Sequence, residues 1–301
     1  MKYCVEYAKN FRYNDIIDEV IFNYNNYKNN LLEKIKEQEW KDTQRVIVRI
    51  GYNELIEEIL PLLRMCKKIH NNFTVLIDGD IKNKSLEKEL KKNNISFFYG
   101  NYVKTIDEVY GLIQIGVSDI YITESLAFNL AEVSPYCKSK GVNIRIIPNI
   151  AQYTVGYKCE IPDPYKFFVR PEDIEYYEPL VDVFEFIASE DRLSVLYEIY
   201  RNHLWSGDLS QLIVGFNEPF YNTGLVPLFG ERRIKCRQKC MQEKCNLCQQ
   251  MKELSDKIHN YNLEVKTPKN KEWKNETGTY KEIVQLIEKA APDSNDEIPK
   301  E

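Results

Sequence analysis

Short apolar runs along the chain alternate with longer stretches in which apolar residues recur every three or four positions. The short runs are rich in β-branched and aromatic residues, as in buried strands, and the longer stretches have the spacing of amphipathic helices. The first long amphipathic stretch extends to about Trp40. The pattern predicts eight strands, at residues 3–8, 45–50, 73–78, 95–99, 119–123, 143–148, 166–170 and 181–187.

This alternation over residues 1–205 predicts an α/β fold of the (β/α)8 type, a TIM-like barrel. The rival architecture is a doubly wound open sheet, which usually has a glycine-rich phosphate-binding turn after its first strand. The corresponding stretch here, YAKNFRYND at residues 7–15, contains no glycine. We therefore expect the barrel.

The rest of the chain divides into two predicted parts. Residues 206–264 form a C-terminal extension with a Gly- and Pro-containing loop, a cysteine motif and a predicted helix, QQMKELSDKIHNYNLE. Residues 265–301 have the composition of a linker, a short amphipathic helix and a disordered tail. We expect the cysteine motif to hold the extension in place.

Composition narrows the class of protein. The chain has 301 residues, of which 43% are hydrophobic, so a sizeable core can form. The formal net charge of -5 gives no reason to expect nucleic acid or an anionic membrane as a general partner. The sequence shows no signal-peptide pattern and no apolar run of membrane-spanning length. We expect a cytoplasmic protein without a membrane partner, and its oligomeric state stays open.

Charged residues interrupt several of the predicted strands. Helices cover the outside of a barrel, so a charge within a strand faces the lumen or carries a large desolvation cost. Three acids and three arginines occupy such positions: Glu6, Arg49, Asp78, Arg145, Arg170 and Glu185. One interpretation is a salt-bridge network that fills the barrel. The other is the lining of an active site.

The active-site interpretation places the chemistry at the carboxyl ends of the strands, as in barrel enzymes. Asp78, Asn149 and Arg170 end predicted strands, and Glu172 lies in a following loop. We expect these four side chains to converge in one cleft. The deeper charges, which should pair with one another, are Glu6, Arg49, Arg145 and Glu185.

Roles follow from the residue types. Arginines bind carboxylates and phosphates bidentately, which suggests an anionic substrate, either small or carried on RNA. An acid that transfers protons near neutral pH needs a raised pKa. The predicted catalytic residues are Asp78, Arg170, Glu172 and Glu185, and the predicted substrate-binding residues are Arg49, Arg145 and Asn149. The three histidines lie in helical stretches, which disfavours a histidine–metal centre or a Ser-His-Asp triad.

Four of the eight cysteines form one compact motif with the spacing C-x3-C-x4-C-x2-C. Its members are Cys236, Cys240, Cys245 and Cys248. Such a cluster in a reducing compartment predicts a metal centre. An iron–sulfur cluster of the 4Fe–4S type is favoured, because nearby arginines and lysines would offset its negative charge, and zinc is the alternative. The scattered cysteines, which we expect to be buried, are Cys4, Cys66, Cys137 and Cys159.

These features together resemble the collagenase-like peptidase superfamily, peptidase family U-thirty-two. The resemblance is carried by GVSDIYI (116–122), CKSKGVNIRIIPN (137–149), RPEDIEYYEPLVDVFEF (170–186) and the late cysteine motif, and it covers roughly Asp107 to Cys248. It implies a barrel with peptidase activity, or iron–sulfur-dependent hydroxylation of ubiquinone precursors or RNA bases. The family's cysteines are dispersed in mid-chain, so only the four clustered cysteines are assigned here, as cluster ligands.

Two functional classes therefore stay open. In the first, the chain is an iron–sulfur-dependent enzyme that acts at the mouth of the barrel. In the second, zinc staples the extension, and the barrel is a scaffold that binds a protein or nucleic-acid partner. The metal that the cysteine motif holds distinguishes the two.

Overall fold

The computed structural model describes residues 2–7, 17–79, 84–122, 130–149, 169–188, 190–203, 205, 208–214 and 247–265. The chain forms two compact units. The first comprises Met1–Tyr157 and Phe167–Leu204, and the second Lys158–Lys166 and Trp205–Glu301. The strands and the candidate site lie in the first unit.

Nine parallel strands form one sheet in the first unit. In chain order they are β1 (Lys2–Glu6), β2 (Glu19–Asn23), β3 (Arg45–Gly51), β4 (Phe73–Asp78), β5 (Ser96–Tyr99), β6 (Tyr102–Val103), β7 (Asp119–Ile122), β8 (Asn143–Ile146) and β9 (Val183–Phe186). Their order across the sheet is β5-β4-β3-β2-β1-β9-β8-β7-β6. Neighbours in the sheet are thus neighbours in the chain, except where β1 pairs with β9.

The sheet curls so that its two edge strands, β5 and β6, are consecutive in the chain. β5 pairs with β4, whereas β6, two residues further on, pairs with β7. The backbone N–H of Ser118 also donates to the carbonyl of Phe97 at 2.9 Å. Every second position from Phe98 to Tyr102 is directed into the lumen. Phe98 contacts Arg145, a β-carbon at Gly100 would meet Asp78, and Tyr102 contacts Tyr121. The result is a TIM-like curled sheet.

Helices follow the strands and cover the sheet. In chain order they are α1 (Tyr24–Tyr27), α2 (Leu31–Lys36), α3 (Ile56–Ile69), α4 (Lys84–Lys92), α5 (Ile106–Ile115), α6 (Leu130–Ser139), α7 (Ile174–Tyr177) and α8 (Glu190–Arg201). α5 shows how local sequence sets the bounds. A capping box between Thr105 and Glu108 begins it, and Gly116, with φ of 82°, ends it. None of the described helices is long and apolar enough to cross a membrane.

The core lies between the sheet and these helices. Val46, Val48 and Ile50 alternate with the lumen-facing positions of β3 and are at most 1% exposed. Cys4, Cys66 and Cys137 are also fully buried, as expected, whereas Cys159 lies outside the described residues. Burial raises the pKa of the Cys66 thiol to about 12, which keeps it protonated and unreactive at neutral pH.

Two strand predictions need correction. Val169 and Arg170, the described end of the strand predicted at 166–170, are not in a strand, and β8 pairs directly with β9, so no strand lies between them. Residues 166–168 lie outside the described part of the chain. Conversely, β2 was missed inside the long amphipathic stretch. Glu19 and Asn23 make this segment polar at both ends, although Val20, Ile21 and Phe22 are fully buried. Glu19 itself is completely buried, so this charged residue faces the lumen and not solvent.

The second unit is described at residues 205, 208–214 and 247–265. Asp208 caps a short 3-10 turn, Leu209–Gln211, by accepting a hydrogen bond from the Ser210 N–H at 2.9 Å. The last described element, α9 (Leu247–Val265), agrees with the helix that the sequence predicts after the cysteine motif. Cys248 lies in its first turn.

Candidate active site at the carboxyl ends of the strands

A buried charge cluster fills the lower lumen, near the amino ends of the strands. Arg145 donates to Glu19 Oε2 at 2.6 Å and to Asp119 Oδ1 at 3.0 Å. Arg45 binds Asp119 bidentately at 2.8 and 2.6 Å and reaches Glu19 at 3.4 Å. β3 and β7 are far apart in the strand order, so these contacts exist because the sheet curls. We call these four residues the lower cluster.

The lower cluster consists of mutually stabilised charges. Burial by itself would raise the pKa of Asp119, but the guanidinium groups of Arg45 and Arg145 outweigh burial and hold that pKa well below its usual range. Arg145 is 0% exposed, and its guanidinium stacks over the rings of Phe98 and Tyr121 at 5.0 and 5.6 Å. Arg145 was predicted to bind substrate, but its depth and its partners give it a structural role.

A second cluster lies above the first, toward the carboxyl ends of the strands. Arg49 is its centre, with Glu6 at 3.4 Å, Glu185 at 3.3 Å and Asp78 at 3.7 Å. The side chains of Asp78 and Glu6 are 52% and 37% exposed, whereas that of Glu185 is 2% exposed. This upper cluster therefore has a buried floor and an open rim, and it holds three carboxylates around one guanidinium.

Two tyrosines line the floor beside Glu185. The hydroxyl of Tyr121 donates to Glu185 Oε2, and Arg145 reaches the same oxygen at 3.4 Å. Tyr102 is the cross-strand neighbour of Tyr121, with the ring centroids 5.8 Å apart. Burial, reinforced by the charge of Glu185, raises the pKa of Tyr102 to about 12. Tyr102 is therefore a neutral hydrogen-bond donor at physiological pH.

Glycines end the three adjacent strand segments at this rim: Gly51 after Ile50, Gly79 after Asp78 and Gly100 after Tyr99. The Gly100 position matters for Asp78, because a β-carbon there would lie 2.4 Å from Asp78 Oδ1. The carboxylate occupies the space that a side chain would fill. Burial raises the pKa of Asp78, and the nearby Arg49 offsets part of that effect.

Gly100→Ala is expected to lower the free energy of unfolding by no more than about 1 kcal/mol, because the added methyl group displaces only the half-exposed end of the Asp78 side chain. Urea-induced unfolding would measure the loss. Gly111→Ala is the control, since a β-carbon at Gly111 in α5 meets nothing within 4 Å and alanine favours a helix. A Gly100→Ala protein as stable as the wild type would show that the carboxylate does not depend on this gap.

Two residues predicted at the mouth lie on the helix side of the sheet. Arg170 and Glu172 belong to a turn that includes the 3-10 segment Pro171–Asp173. The Tyr200 hydroxyl of α8 donates to the Val169 carbonyl at 2.9 Å, and the Tyr200 ring packs on Phe186 at 4.9 Å. Glu185 faces the lumen, so its neighbour Phe186 faces the helices. The predicted place of Arg170 and Glu172 at the mouth, from a strand ending at 170, is therefore wrong.

Asn149 has a structural partner as well. Its amide nitrogen donates to the carbonyl of Ile187, and its amide oxygen accepts from the Ile187 N–H at 3.1 Å. The side chain is 0% exposed. Asn149 thus ties the segment after β8 to the segment after β9. The Asn149 amide is therefore engaged within the fold, whereas the sequence predicts that it binds substrate.

Sequence reasoning missed five charged or tyrosine side chains of the two clusters: Glu19, Arg45, Asp119, Tyr102 and Tyr121. A signal for Arg45 was present, since it lies four residues before Arg49 and thus on the same face of β3. Asp119 likewise shares a face with Tyr121. Glu19 could not be found without β2, and Tyr102 lies beyond the predicted end of its strand.

A polar cavity of about 210 Å³ lies at the opposite, amino end of the sheet. Its lining includes Lys2, Asp18, Arg45 and Asn143. Arg45 already donates to Asp119, Thr74 and Ser118. In barrel enzymes the amino end serves stability, whereas the carboxyl end carries catalysis. We therefore place the candidate active site in the upper cluster.

The cysteine motif falls largely outside the described residues. Cys236, Cys240 and Cys245 lie there, and of Cys248 the structure describes the helical backbone in α9. Among the described residues, no group of three or more His, Cys, Asp or Glu side chains is arranged to hold a metal ion. The metal prediction thus rests on the donor set alone, and four thiols suit either an iron–sulfur cluster or zinc.

Comparisons with known proteins give distant similarities. The chain matches no protein-family profile. A protein of Methanocaldococcus jannaschii described as an uncharacterized protease is 28% identical over 145 residues, which cover 46% of this chain and 40% of that protein. The match thus spans less than half the length of that relative. The crystal structure of a glycerophosphodiester phosphodiesterase from Parabacteroides distasonis covers 57% of this chain and 62% of its own, with 14% identity and a TM-score of 0.36. That similarity carries no functional argument.

Proposed function

We propose that the chain is a TIM-barrel-type enzyme whose active site is the upper cluster. The observation that carries the proposal is the position of Glu185, which lies between Arg49, Arg145 and Tyr121 on the floor of an open mouth. This mouth is at the carboxyl ends of the strands, where barrel enzymes carry their chemistry. A cluster that served stability alone would have no need of the half-exposed carboxylates of Asp78 and Glu6.

The floor offers the groups that acid–base chemistry needs. Glu185 is the proposed proton acceptor, and the guanidinium of Arg49, 3.3 Å from Glu185 Oε1, would orient its carboxylate. Tyr102, whose pKa is raised to about 12, would remain protonated and donate a hydrogen bond. The relative described as an uncharacterized protease supports a peptide as substrate and hydrolysis as the reaction.

The substrate class that the sequence suggests changes with the structure. The arginines predicted anion binding. Arg145, however, is buried among the carboxylates of Glu19, Asp119 and Glu185. Arg49 contacts the carboxylates of Glu6, Asp78 and, again, Glu185. Neither guanidinium has charge to spare for a second anion. The proposed substrate is therefore neutral or cationic at the group that enters the mouth.

Glu185→Gln and Tyr102→Phe are each expected to reduce cleavage of fluorescein-labelled casein by about 100-fold or more, since each removes a proton-transferring or donor group. Unfolding curves would establish that both variants fold. The matched controls are Glu132→Gln and Tyr110→Phe, two exposed positions on helices. Full casein cleavage by Glu185→Gln would refute the assignment, and the absence of cleavage by the wild type would refute the peptide substrate.

The cysteine motif adds the second part of the proposal. We propose that Cys236, Cys240, Cys245 and Cys248 bind a 4Fe–4S cluster, which would supply redox capacity or hold the extension in place. The alternative is a zinc-stapled scaffold that binds a protein or nucleic-acid partner. The basic residues around the motif, which would offset the charge of a cluster, could instead contact phosphate beside a zinc knuckle: Arg232, Arg233, Lys235, Arg237, Lys239 and Lys244.

A further inference from the structure

Exposed apolar side chains concentrate on one helix of the first unit. Among the residues that the structure describes, seven large hydrophobic side chains are exposed, and three of them belong to α3 or to the residue before it. Leu55 is 60% exposed, Met65 45% and Ile69 37%. No other described element carries more than one such residue. Single exposed apolar residues are ordinary on a protein surface, whereas a group of them marks an interaction site.

These residues form a line along α3. Together with the partly exposed Leu62, they follow one another at intervals of seven, three and four residues, which places them on the same side of a helix. At a rise of 1.5 Å per residue the line is about 20 Å long. We call Leu55, Leu62, Met65 and Ile69 the α3 stripe.

The α3 stripe is separate from the faces that α3 uses within the first unit. The residues that pack into the core are 0% exposed: Ile59, Leu63 and Cys66. Arg64 Nε donates to Asn93 Oδ1 at 2.6 Å, so another side of α3 is directed toward the residue that follows α4. The stripe lies outside both faces, and packing within the unit leaves Met65 and Ile69 largely accessible to a partner.

The charges along α3 indicate which partner fits. Its first turn carries Glu57 and Glu58, and its last turn carries Lys67 and Lys68. Glu58 lies in line with the stripe near its start, and Lys68 precedes Ile69 at its end; both are exposed. If two copies of α3 run antiparallel, the acidic end of each lies against the basic end of the other. A parallel pair would bring like charges together, so the helix is complementary to itself in one orientation.

We propose that the α3 stripe is the contact surface of a homodimer, in which two copies of α3 pack antiparallel about a two-fold axis. The apolar side chains of the two stripes would interdigitate, and Glu58 of one copy would face Lys68 of the other. Because a two-fold contact uses the same surface on both copies, the assembly closes at two chains. The stripe is short, so the dimer should dissociate in the micromolar range. This inference is independent of the proposed catalysis.

Sedimentation equilibrium of the chain between about 1 and 200 µM would test the proposal, since a small contact gives a dimer that dilution dissociates. We expect the mean mass to rise from that of one chain to that of two and no further. Met65→Asp places a charge in the contact twice per dimer and should raise the dissociation constant at least about tenfold. Val195→Asp on α8 is the matched control, since Val195 is also 45% exposed, and it should leave the dissociation constant unchanged.

Two outcomes of this experiment would overturn the proposal. One is a wild-type chain that stays monomeric over the whole range, which would leave the stripe to a different partner. The other is a Met65→Asp chain that folds and dimerises as the wild type does, which would place the contact elsewhere. Unfolding curves would establish that the Met65→Asp and Val195→Asp chains are folded.

Charge reversal tests the antiparallel orientation. Glu58→Lys and Lys68→Glu should each weaken the dimer by about two- to tenfold, because each turns two exposed ion pairs into two like-charge pairs. The double variant restores opposite charges across the contact and should dimerise as the wild type does. In a parallel pair each residue would face its own counterpart, so a single reversal would cause no loss. Single variants without a loss, or a double variant without recovery, would refute the antiparallel contact.

Discussion

Arg145→Met is expected to lower the free energy of unfolding by about 3–5 kcal/mol, the usual cost of removing one partner from a buried ion cluster. Arg145 is completely buried and contacts Glu19, Asp119 and Glu185. Methionine matches the length of the arginine stem but leaves these carboxylates without that charge. Urea-induced unfolding followed by circular dichroism would measure the change.

Partial recovery would show that the loss comes from unpaired charge. The double variant Arg145→Met, Asp119→Asn removes one surplus carboxylate with the guanidinium, so it should be more stable than Arg145→Met alone. Arg201→Met, at the exposed end of α8, is the control and should change stability by less than about 0.5 kcal/mol. If Arg145→Met unfolds at the same urea concentration as the wild type, the lower cluster contributes nothing to stability.

Glu185 links this stabilising cluster to the proposed active site. Its Oε2 accepts from Tyr121 and Arg145, and its Oε1 faces Arg49 at 3.3 Å. The lower cluster therefore orients the one carboxylate that the upper cluster needs at its floor. A conservative change below the site, at Arg145, would accordingly disturb catalysis at Glu185 even where the protein still folds. The two interpretations of the interior charges, a salt-bridge network and an active site, thus apply to two layers of the same lumen.

Local pattern was sufficient to predict much of the sheet and part of the site. Strands β3, β4 and β7 have the predicted positions within a residue or so, because fully buried parallel strands are continuous apolar runs. Arg49 and Glu185 could be assigned to the lumen from alternation alone, since a charge in such a strand has no other place to go. The wrong assignment of Arg170 also came from local pattern, because the segment KFFVR has the short apolar run that is typical of a buried strand.

Contacts between distant parts of the chain could not be predicted in this way. Arg45 and Asp119 are 74 residues apart in the chain and meet because the sheet curls. The hydrophobic pattern of a strand does not indicate how the sheet curves. Gly51, Asp78 and Gly100 end three adjacent strands, but strand patterns do not show that the Asp78 carboxylate fills the space beside Gly100. The sequence therefore predicted that the site lies at the carboxyl ends of the strands. Which residues line it depends on three-dimensional geometry that the sequence does not show.

Anaerobically purified protein is expected to be brown and to contain about four irons per chain, if the four clustered thiols hold a 4Fe–4S cluster. Replacing Cys236, Cys240, Cys245 and Cys248 by serine should remove both colour and iron, because a hydroxyl is a poor ligand for such a cluster. Cys66→Ser is the matched control, since Cys66 is a buried, isolated thiol in the first unit. Iron analysis and absorption spectra would measure the effect.

The metal also decides between the two functional classes. Colourless protein with one zinc per chain would replace the iron–sulfur proposal with the structural one, and then the four-serine variant should lose zinc and become more sensitive to proteolysis between residues 206 and 264. Closing the cysteine loop around a metal would restrict the conformations of the extension, so loss of the metal should make it a better protease substrate. A metal-free wild-type protein whose stability is unchanged in the four-serine variant would refute both metals.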